Sequence, residues 1–192
     1  MNRRGGHANQ LRIIGGQWRG RRLEFPDVPG LRPTPDRVRE TLFNWLAPVL
    51  PGARCLDLFA GSGALGIEAL SRGAAEVVFV ECQPLAVRAL RENLARLKAE
   101  NARVEMADAL VWLRQPGKPF EIALLDPPFG QGLLEPACAT LEQNGWLAET
   151  AWIYLEAAMD QPAPSLPVQW TIQREKTAGA VSYRLARREM SA

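Results

Sequence analysis

The stretch that decides the fold is Asp57-Leu58-Phe59-Ala60-Gly61-Ser62-Gly63-Ala64-Leu65-Gly66. Hydrophobic patterning predicts a buried strand over residues 54–59 and a helix over residues 64–72. Glycines between them allow a tight turn and let the backbone approach a ligand closely. The stretch therefore predicts a strand–turn–helix unit of the kind that binds ligands in doubly wound α/β proteins.

The same alternation continues along most of the chain. Further strands are predicted at 76–81, 103–106, 120–125 and 151–156, with helices at 84–99, 108–115 and 133–143. Strands that alternate with helices favour a parallel sheet. Residues 169–174 and 181–185 flank Thr177-Ala178-Gly179 and predict an antiparallel hairpin at the sheet edge. We therefore expect a Rossmann-like α/β fold with seven strands, mostly parallel.

The N-terminal part follows a different pattern. We expect a flexible tail over residues 1–10 and a β-hairpin with strands at 11–14 and 21–25 around a glycine-rich loop. Thr34 is placed to cap a helix over residues 35–47, in which Pro35 is the first helical residue. The expected organisation is a tail (1–10), an N-terminal hairpin and helix (11–50), and an α/β domain (51–192).

Composition narrows the class of protein. The chain has 192 residues, of which 47% are hydrophobic, enough for one core. It has no apolar run long enough for a membrane span and no apolar segment behind its basic start. Cys55, Cys82 and Cys138 are odd in number, far apart and without metal-type spacing. We expect a cytoplasmic monomer with reduced core cysteines and no bound metal.

Charge is unevenly distributed. Residues 1–45 hold nine arginines against four carboxylates, a local charge of +5, whereas the remainder carries −3. Arginine binds phosphate in a bidentate manner, and Trp18 and Phe25 in the same segment offer rings that stack on bases. This basic N-terminal arm, residues 1–45, therefore favours a polyanionic partner such as nucleic acid. The alternative is that the arm is a tail that only increases solubility.

The glycine turn suits two kinds of cofactor. Gly61-x-Gly63-x-x-Gly66 also matches the dinucleotide fingerprint, and Glu81 could bind ribose hydroxyls in either case. Asp57 discriminates between them, because a carboxylate there would repel a pyrophosphate but suits the ammonium and sulfonium of S-adenosylmethionine. The stretch resembles methyltransferase motif I. The expected cofactor residues are Asp57, Phe59, Ala60, Gly61, Ser62, Gly63, Gly66, Glu81 and Asp108. Each acid has an alternative interpretation. Asp57 could be a structural acid at the end of the strand, and Asp108 could be an ordinary helix N-cap.

A second motif, Asp126-Pro127-Pro128-Phe129, ends the predicted strand at 120–125. An exocyclic base amine is a poor nucleophile, because its lone pair is delocalised into the ring. Asp126 and the Pro127 carbonyl could accept hydrogen bonds from that amine and stabilise the charge that develops on it, while Phe129 could stack on the base. The tetrapeptide resembles motif IV of amino-methyltransferases, and a proline-rich turn is the alternative.

The motif also bears on the choice of base. Guanine presents N1–H and N2–H₂ side by side, and one carboxylate can accept from both. Adenine presents an acceptor at N1, which suits an asparagine better. Asp126 therefore favours guanine, although adenine methyltransferases also carry an aspartate here.

Together with these motifs, the segments Arg12–Gly20, Leu31–Leu46 and Gly61–Arg72 resemble the RsmD family over about residues 11–188. The resemblance implies transfer of a methyl group to N2 of one guanine in 16S rRNA of the small ribosomal subunit. It also implies substrate-binding roles for the hairpin and the segment after it, with Arg12, Arg19, Arg32, Thr34 and Arg37 as candidates. An ordinary surface charge is the alternative for Arg37.

The sequence is also compatible with four other functions. A nucleotide-dependent oxidoreductase is supported by the glycine pattern alone. An RNA-binding assembly factor without catalysis would not need both motifs. Within the methyltransferases, an enzyme for adenine N6 of DNA or RNA is the nearest alternative, followed by a protein-glutamine enzyme.

Overall fold

The computed structural model describes residues 9–28 and 34–189. Strand β1 (Asn9–Arg12) pairs antiparallel with β2 (Arg22–Phe25), and Leu11 lies opposite Leu23. This confirms the predicted N-terminal hairpin, although its first strand ends at Arg12 and not at the predicted Ile14. Asn9 and Gln10 belong to β1, so the predicted tail is wrong for these two residues, and residues 1–8 lie outside the described part.

Helix α1 (Asp36–Leu46) follows, with Val38, Leu42 and Leu46 on its buried face. The prediction that Thr34 caps this helix is wrong. Pro35 occupies the N-cap position, and the Thr34 hydroxyl donates to Asp126 instead. The helix consequently begins one residue later than predicted.

The rest of the chain alternates between strands and helices. In order these are β3 (Arg54–Asp57), α2 (Ala64–Ser71), β4 (Glu76–Glu81), α3 (Pro84–Leu97), β5 (Ala102–Met106), α4 (Ala109–Trp112), β6 (Phe120–Leu125), α5 (Leu134–Gln143), β7 (Leu147–Ala158), β8 (Trp170–Ala178) and β9 (Val181–Glu189). The seven strands lie in the order β5-β4-β3-β6-β7-β9-β8. Strands β3 to β7 are parallel, and β9 is antiparallel to both neighbours. The predicted α/β fold is confirmed.

Several predicted boundaries shift for local reasons. Helix α3 stops at Leu97 because Lys98 adopts a left-handed conformation, with φ of 54°. Helix α4 has four residues instead of eight, and Pro116 and Gly117 follow it closely. The C-terminal hairpin turns at Gly179, with φ of 59°. Both of its strands extend beyond the predicted residues, to Ala178 in β8 and to Glu189 in β9.

The sheet separates two apolar layers. One contains α1, α2, α3 and the N-terminal hairpin, and the other contains α4 and α5. Trp18 and Phe25 are buried in the first layer, so the prediction that they present rings to bases is wrong.

Cys55 and Cys138 are buried as expected, whereas Cys82 is exposed, contrary to expectation. Within the described ranges, no helix combines the length and the apolar character that crossing a bilayer requires.

Candidate functional site

The carboxyl ends of the parallel strands meet along one edge of the sheet. Strand β3 lies between β4 and β6, and the chain leaves it in opposite directions to build the two halves. Ligands of open α/β sheets bind at such a switch point. Asp57 ends β3, Glu81 ends β4 and Asp126 directly follows β6. The fold thus gathers three carboxyl groups that lie far apart in sequence.

Asp57 is buried at the start of the glycine turn. Its Oδ2 accepts a hydrogen bond of 2.9 Å from the Gly66 amide, which links β3 to the first turn of α2. The pKa of Asp57 is raised to about 7. Burial is the largest cause, the Gly66 amide lowers the pKa, and the nearby Asp126 and Glu81 raise it. Gly66 is needed because a Cβ there would lie 2.2 Å from the Phe79 ring. Asp57 therefore has a structural role in addition to any contact with a ligand.

Glu81 reaches back to the same turn. Its Oε2 accepts from the Gly61 amide and its Oε1 from the Gln83 amide, both at 2.7 Å. Gly63 begins α2 with φ of 79°, a left-handed conformation that favours glycine. Each carboxylate oxygen has a second lone pair for a hydroxyl donor.

Asp108 lies one strand further out. Its Oδ1 accepts from the Val111 amide at 2.9 Å, so it does cap α4, as the alternative interpretation held. The preceding residue, Ala107, donates to the Glu81 carbonyl at 3.1 Å. This brings Asp108 close to the end of β4. Of the other predicted cofactor residues, Phe59 and Gly61 are half-buried, and Ala60, Ser62, Gly63 and Gly66 are buried.

The second motif lies beside the first. Asp126 is partly accessible, and the Thr34 hydroxyl donates to its Oδ2 at 3.1 Å. Burial raises the pKa of Asp126 to about 6, and the Thr34 hydrogen bond lowers it. Pro127 is buried, whereas the Phe129 side chain is 45% exposed. The site thus holds a carboxyl group of raised pKa with an exposed ring three residues later.

Sequence reasoning missed a fourth carboxyl group, that of Glu156. Leu125 of β6 is the partner of Leu155 of β7, so Asp126 and Glu156 are the next pair in that register. Glu156 is buried and accepts from the Tyr154 hydroxyl at 2.7 Å. Burial raises its pKa to about 8, with a further contribution from Asp126. An acid within the otherwise apolar run of β7 was the available signal.

The predicted substrate residues divide into two groups. Arg19 and Arg37 are exposed, as is Arg12, whose guanidinium contacts Asp36 at 3.0 Å. Thr34 is buried against Asp126. Arg32 lies outside the described residues.

A buried ion pair, also missed, fixes the hairpin to the site. Arg39 and Glu68 are both about 1% exposed, with Nη1 of the arginine 3.5 Å from Oε2 of the glutamate. Glu68 accepts from the Ile14 and Gly15 amides at 2.9 and 2.7 Å. Arg39 donates through Nε to the Thr34 carbonyl at 3.1 Å. The pair therefore ties the hairpin, Thr34 and α2 into one unit.

The loop of the hairpin is also anchored by the last residue of α2, about one turn beyond Glu68. The Ser71 hydroxyl donates to the Gly15 carbonyl at 2.6 Å and accepts from the Trp18 amide at 3.0 Å. Gly16, with φ of 75°, is required here, since a Cβ would lie 1.8 Å from the Ser71 carbonyl oxygen. The loop is thus held in a defined position.

The chain resembles known proteins over most of its length. The chain is 57% identical to "Ribosomal RNA small subunit methyltransferase D" of Escherichia coli strain K12, over 95% of this chain and 92% of the relative. It is 49% identical to the protein of that name from Haemophilus influenzae, over 92% and 93%. The solved structure of yhhF from Escherichia coli superposes with a TM-score of 0.90 and is 54% identical, over 95% of this chain and all of that one. The family model described as "Conserved hypothetical protein 95" matches residues 11–187. The chain therefore belongs to this family, the RsmD family of methyltransferases.

Proposed function

We propose that this protein transfers a methyl group from S-adenosylmethionine to the exocyclic N2 amine of a guanine in 16S rRNA, within the small ribosomal subunit in the cytoplasm. The observation that carries the proposal is the position of Asp126, an accessible carboxylate beside the cofactor turn at the switch point of the sheet. The Escherichia coli and Haemophilus influenzae relatives are described as methyltransferases of small-subunit rRNA.

The residues of the cofactor turn fit S-adenosylmethionine better than a dinucleotide. Asp57, Glu81 and Asp126 converge there, and the two latter raise the pKa of Asp57. This electronegative edge would repel a pyrophosphate and attract an ammonium and a sulfonium. Glu81 would hold the ribose hydroxyls, and Asp108 would lie beside the adenine. The bound cofactor would supply a methyl group activated by the positive sulfur.

The chemistry left to the protein concerns the amine. Thr34 engages Oδ2 of Asp126, which leaves Oδ1 suited to accept from the substrate. The Asp126 carboxylate would accept from N2–H and stabilise the positive charge that develops on nitrogen as the N–C bond forms. Phe129 would stack on the base, and the Pro127 carbonyl would be a second acceptor.

The function is tested by incubating the purified protein with small subunits from cells that lack it. Nucleoside mass spectrometry of the digested rRNA should detect N2-methylguanosine only when S-adenosylmethionine is present. Formation of N6-methyladenosine instead would replace this proposal with the adenine alternative, which the aspartate alone leaves open.

Replacing Glu81 should weaken cofactor binding. Glu81→Ala removes an acceptor for two ribose hydroxyls, and hydrogen bonds to charged groups contribute about 1.5–3 kcal/mol, so affinity should fall on the order of tenfold or more. Calorimetry with S-adenosylmethionine measures the loss. Glu76→Ala, at the opposite end of β4, is the matched control and should bind normally. Binding of NAD without binding of S-adenosylmethionine would exclude this cofactor.

The exposed arginines are proposed to bind rRNA phosphates. Arg19→Ala and Arg37→Ala should each lower the slope of log affinity against log salt by about 1 for a lost phosphate contact. Binding to small subunits measured at several salt concentrations gives the slope. Arg88→Ala removes an exposed arginine that pairs with Glu92 on α3, and it should leave the slope unchanged.

Deletion of the arm would be a poor test. Truncation would expose apolar surface as well as remove charge, because the hairpin has five side chains buried in the core: Leu11, Ile13, Trp18, Leu23 and Phe25.

The single substitutions avoid this problem. Unchanged salt slopes in both Arg19→Ala and Arg37→Ala would show that these two arginines do not contact the phosphates.

A further inference from the structure

The end of β7 holds a carboxyl group that none of the motifs includes. Leu125 and Leu155 are the last register partners of β6 and β7, so one further step along both chains places Glu156 beside Asp126. Leu124 and Tyr154, two residues before them, face the α1 side of the sheet, and we infer the same side for the two carboxyl groups. Neighbouring strands are about 4.8 Å apart. That spacing is close to the distance between the outer two substituents on the Watson–Crick edge of a purine. Two carboxyl groups so placed could contact the two ends of one base edge.

The order of the strands sets the direction of the base. Asp126 lies beside β3 and its cofactor turn, whereas Glu156 lies one strand further away. A guanine whose N2 faces the cofactor turn would have N2 and N1 near Asp126. Its O6 would then point toward β7.

One carboxyl oxygen of Glu156 accepts from Tyr154, which lowers the pKa of Glu156, so the neutral form depends on burial and on Asp126. Tyr154 donates to Oε2, and within residues 9–28 and 34–189 no hydrogen bond is made by Oε1. Glu156 also helps to line a small cavity with Pro127, Phe129 and Gln161, so this end of β7 adjoins the proposed base site. Two ionised carboxylates this close would repel each other, so one of the two is expected to hold a proton.

On the proposed function, we infer that Glu156 is a specificity-determining residue that donates a hydrogen bond from a protonated Oε1 to O6 of the target guanine. Asp126 accepts from N1–H and N2–H, so the two carboxyl groups together match the acceptor–donor–donor order of guanine. Adenine presents a donor where guanine presents O6, and its N6 amine would face a second donor. The pair thereby selects guanine, which neither group achieves alone.

The raised pKa of Glu156, about 8, supports the protonated form at neutral pH, whereas that of Asp126, about 6, supports the ionised form. Among residues 9–28 and 34–189, the ionisable groups that face Glu156 are Asp126 from the β6 side, Tyr154 on its own strand and Tyr183, its partner on β9. The two tyrosine rings are tilted against each other, and as phenols they supply no positive charge. Glu156 is therefore the group expected to lose its proton as pH rises through about 8.

The test uses the full chain in single-turnover methylation of small subunits, with saturating cofactor, from pH 6 to 9. The wild-type rate should rise through about pH 6 and decline above about pH 8, where Glu156 becomes an acceptor facing O6. Glu156→Gln keeps a donor that cannot ionise, so its rate should stay within a few-fold at pH 7 and lack the decline. Glu156→Ala should lose on the order of tenfold at pH 7, as expected for one lost hydrogen bond.

Two comparisons make the result decisive. Glu149→Gln, an exposed glutamate on the same strand, should keep the wild-type profile, and ionisation of the base would affect all variants equally. If Glu156→Gln is as slow as Glu156→Ala, or retains the decline above pH 8, Glu156 is not a donor to the base. A wild-type protein that never methylates small subunits would instead refute the proposed function.

Discussion

Asp126→Ala should lower the single-turnover rate of methyl transfer on the order of 10²–10³, the usual effect of removing one preorganised electrostatic group. The variant should still bind S-adenosylmethionine, because Asp126 is proposed to contact the substrate amine. Rapid-quench methylation of small subunits and calorimetry measure the two quantities separately. Asp160→Ala replaces an exposed aspartate beyond β7 and should behave as the wild type.

Asp126→Asn is the sharper form of this experiment. Asparagine is nearly isosteric and keeps one acceptor oxygen, but it loses the charge and introduces a donor. That donor would face N1–H or N2–H of guanine, so the variant should be almost as slow as Asp126→Ala. Wild-type rates in both variants would mean that the carboxylate is structural and that the proposed chemistry of this site is wrong.

Glu68→Ala should cost about 3–5 kcal/mol in the free energy of unfolding, because it removes a buried carboxylate that pairs with both Arg39 and Arg72. Asp36 remains as a partner for Nη2 of Arg39, whereas Nη1 loses its partner. The substitution also removes the acceptor of the Ile14 and Gly15 amides. Urea denaturation followed by circular dichroism gives the change in free energy. Limited proteolysis should show new cleavage within residues 9–28, the segment that Glu68 holds.

The matched control for this substitution is Glu92→Ala. Glu92 pairs with Arg88 one turn away on α3, and both side chains are largely exposed. Such pairs contribute about 0.3–0.5 kcal/mol, so the control should unfold nearly as the wild type does. If Glu68→Ala were equally mild, the hairpin would be held by its apolar contacts and by its hydrogen bonds to Ser71 and Asn93.

The sheet and the two motifs were predictable from sequence because each depends on local signals. Strands β4 and β6 begin and end at the predicted residues, since each is an apolar run bounded by polar or proline residues. Asp57, Glu81 and Asp126 could be brought together because parallel strands place their carboxyl ends on one edge. The resemblance to a known family then indicated the reaction expected at these residues, the transfer of a methyl group to a guanine amine.

The contacts across long separations could not be predicted in the same way. Thr34 has the local pattern of a helix cap, but its hydroxyl bonds to a residue 92 positions away. Trp18 lies among arginines, yet it packs in the core because the hairpin folds onto α2. Glu68 did carry a signal, since α2 is buried on every side and an acid in such a helix requires a partner.

The docking of the hairpin has a consequence for synthesis. Its second strand is completed by contacts with α3, including the bond from the Asn93 amide to the Glu24 carbonyl, 69 residues further along the chain. Translation proceeds at about 5–20 residues per second, so roughly 3–14 s pass between the appearance of these two segments. During that interval α1 and α2 emerge, but the α3 part of the surface that covers β2 is still missing. We expect the apolar side chains of the hairpin to stay partly exposed on the nascent chain until α3 has been synthesised.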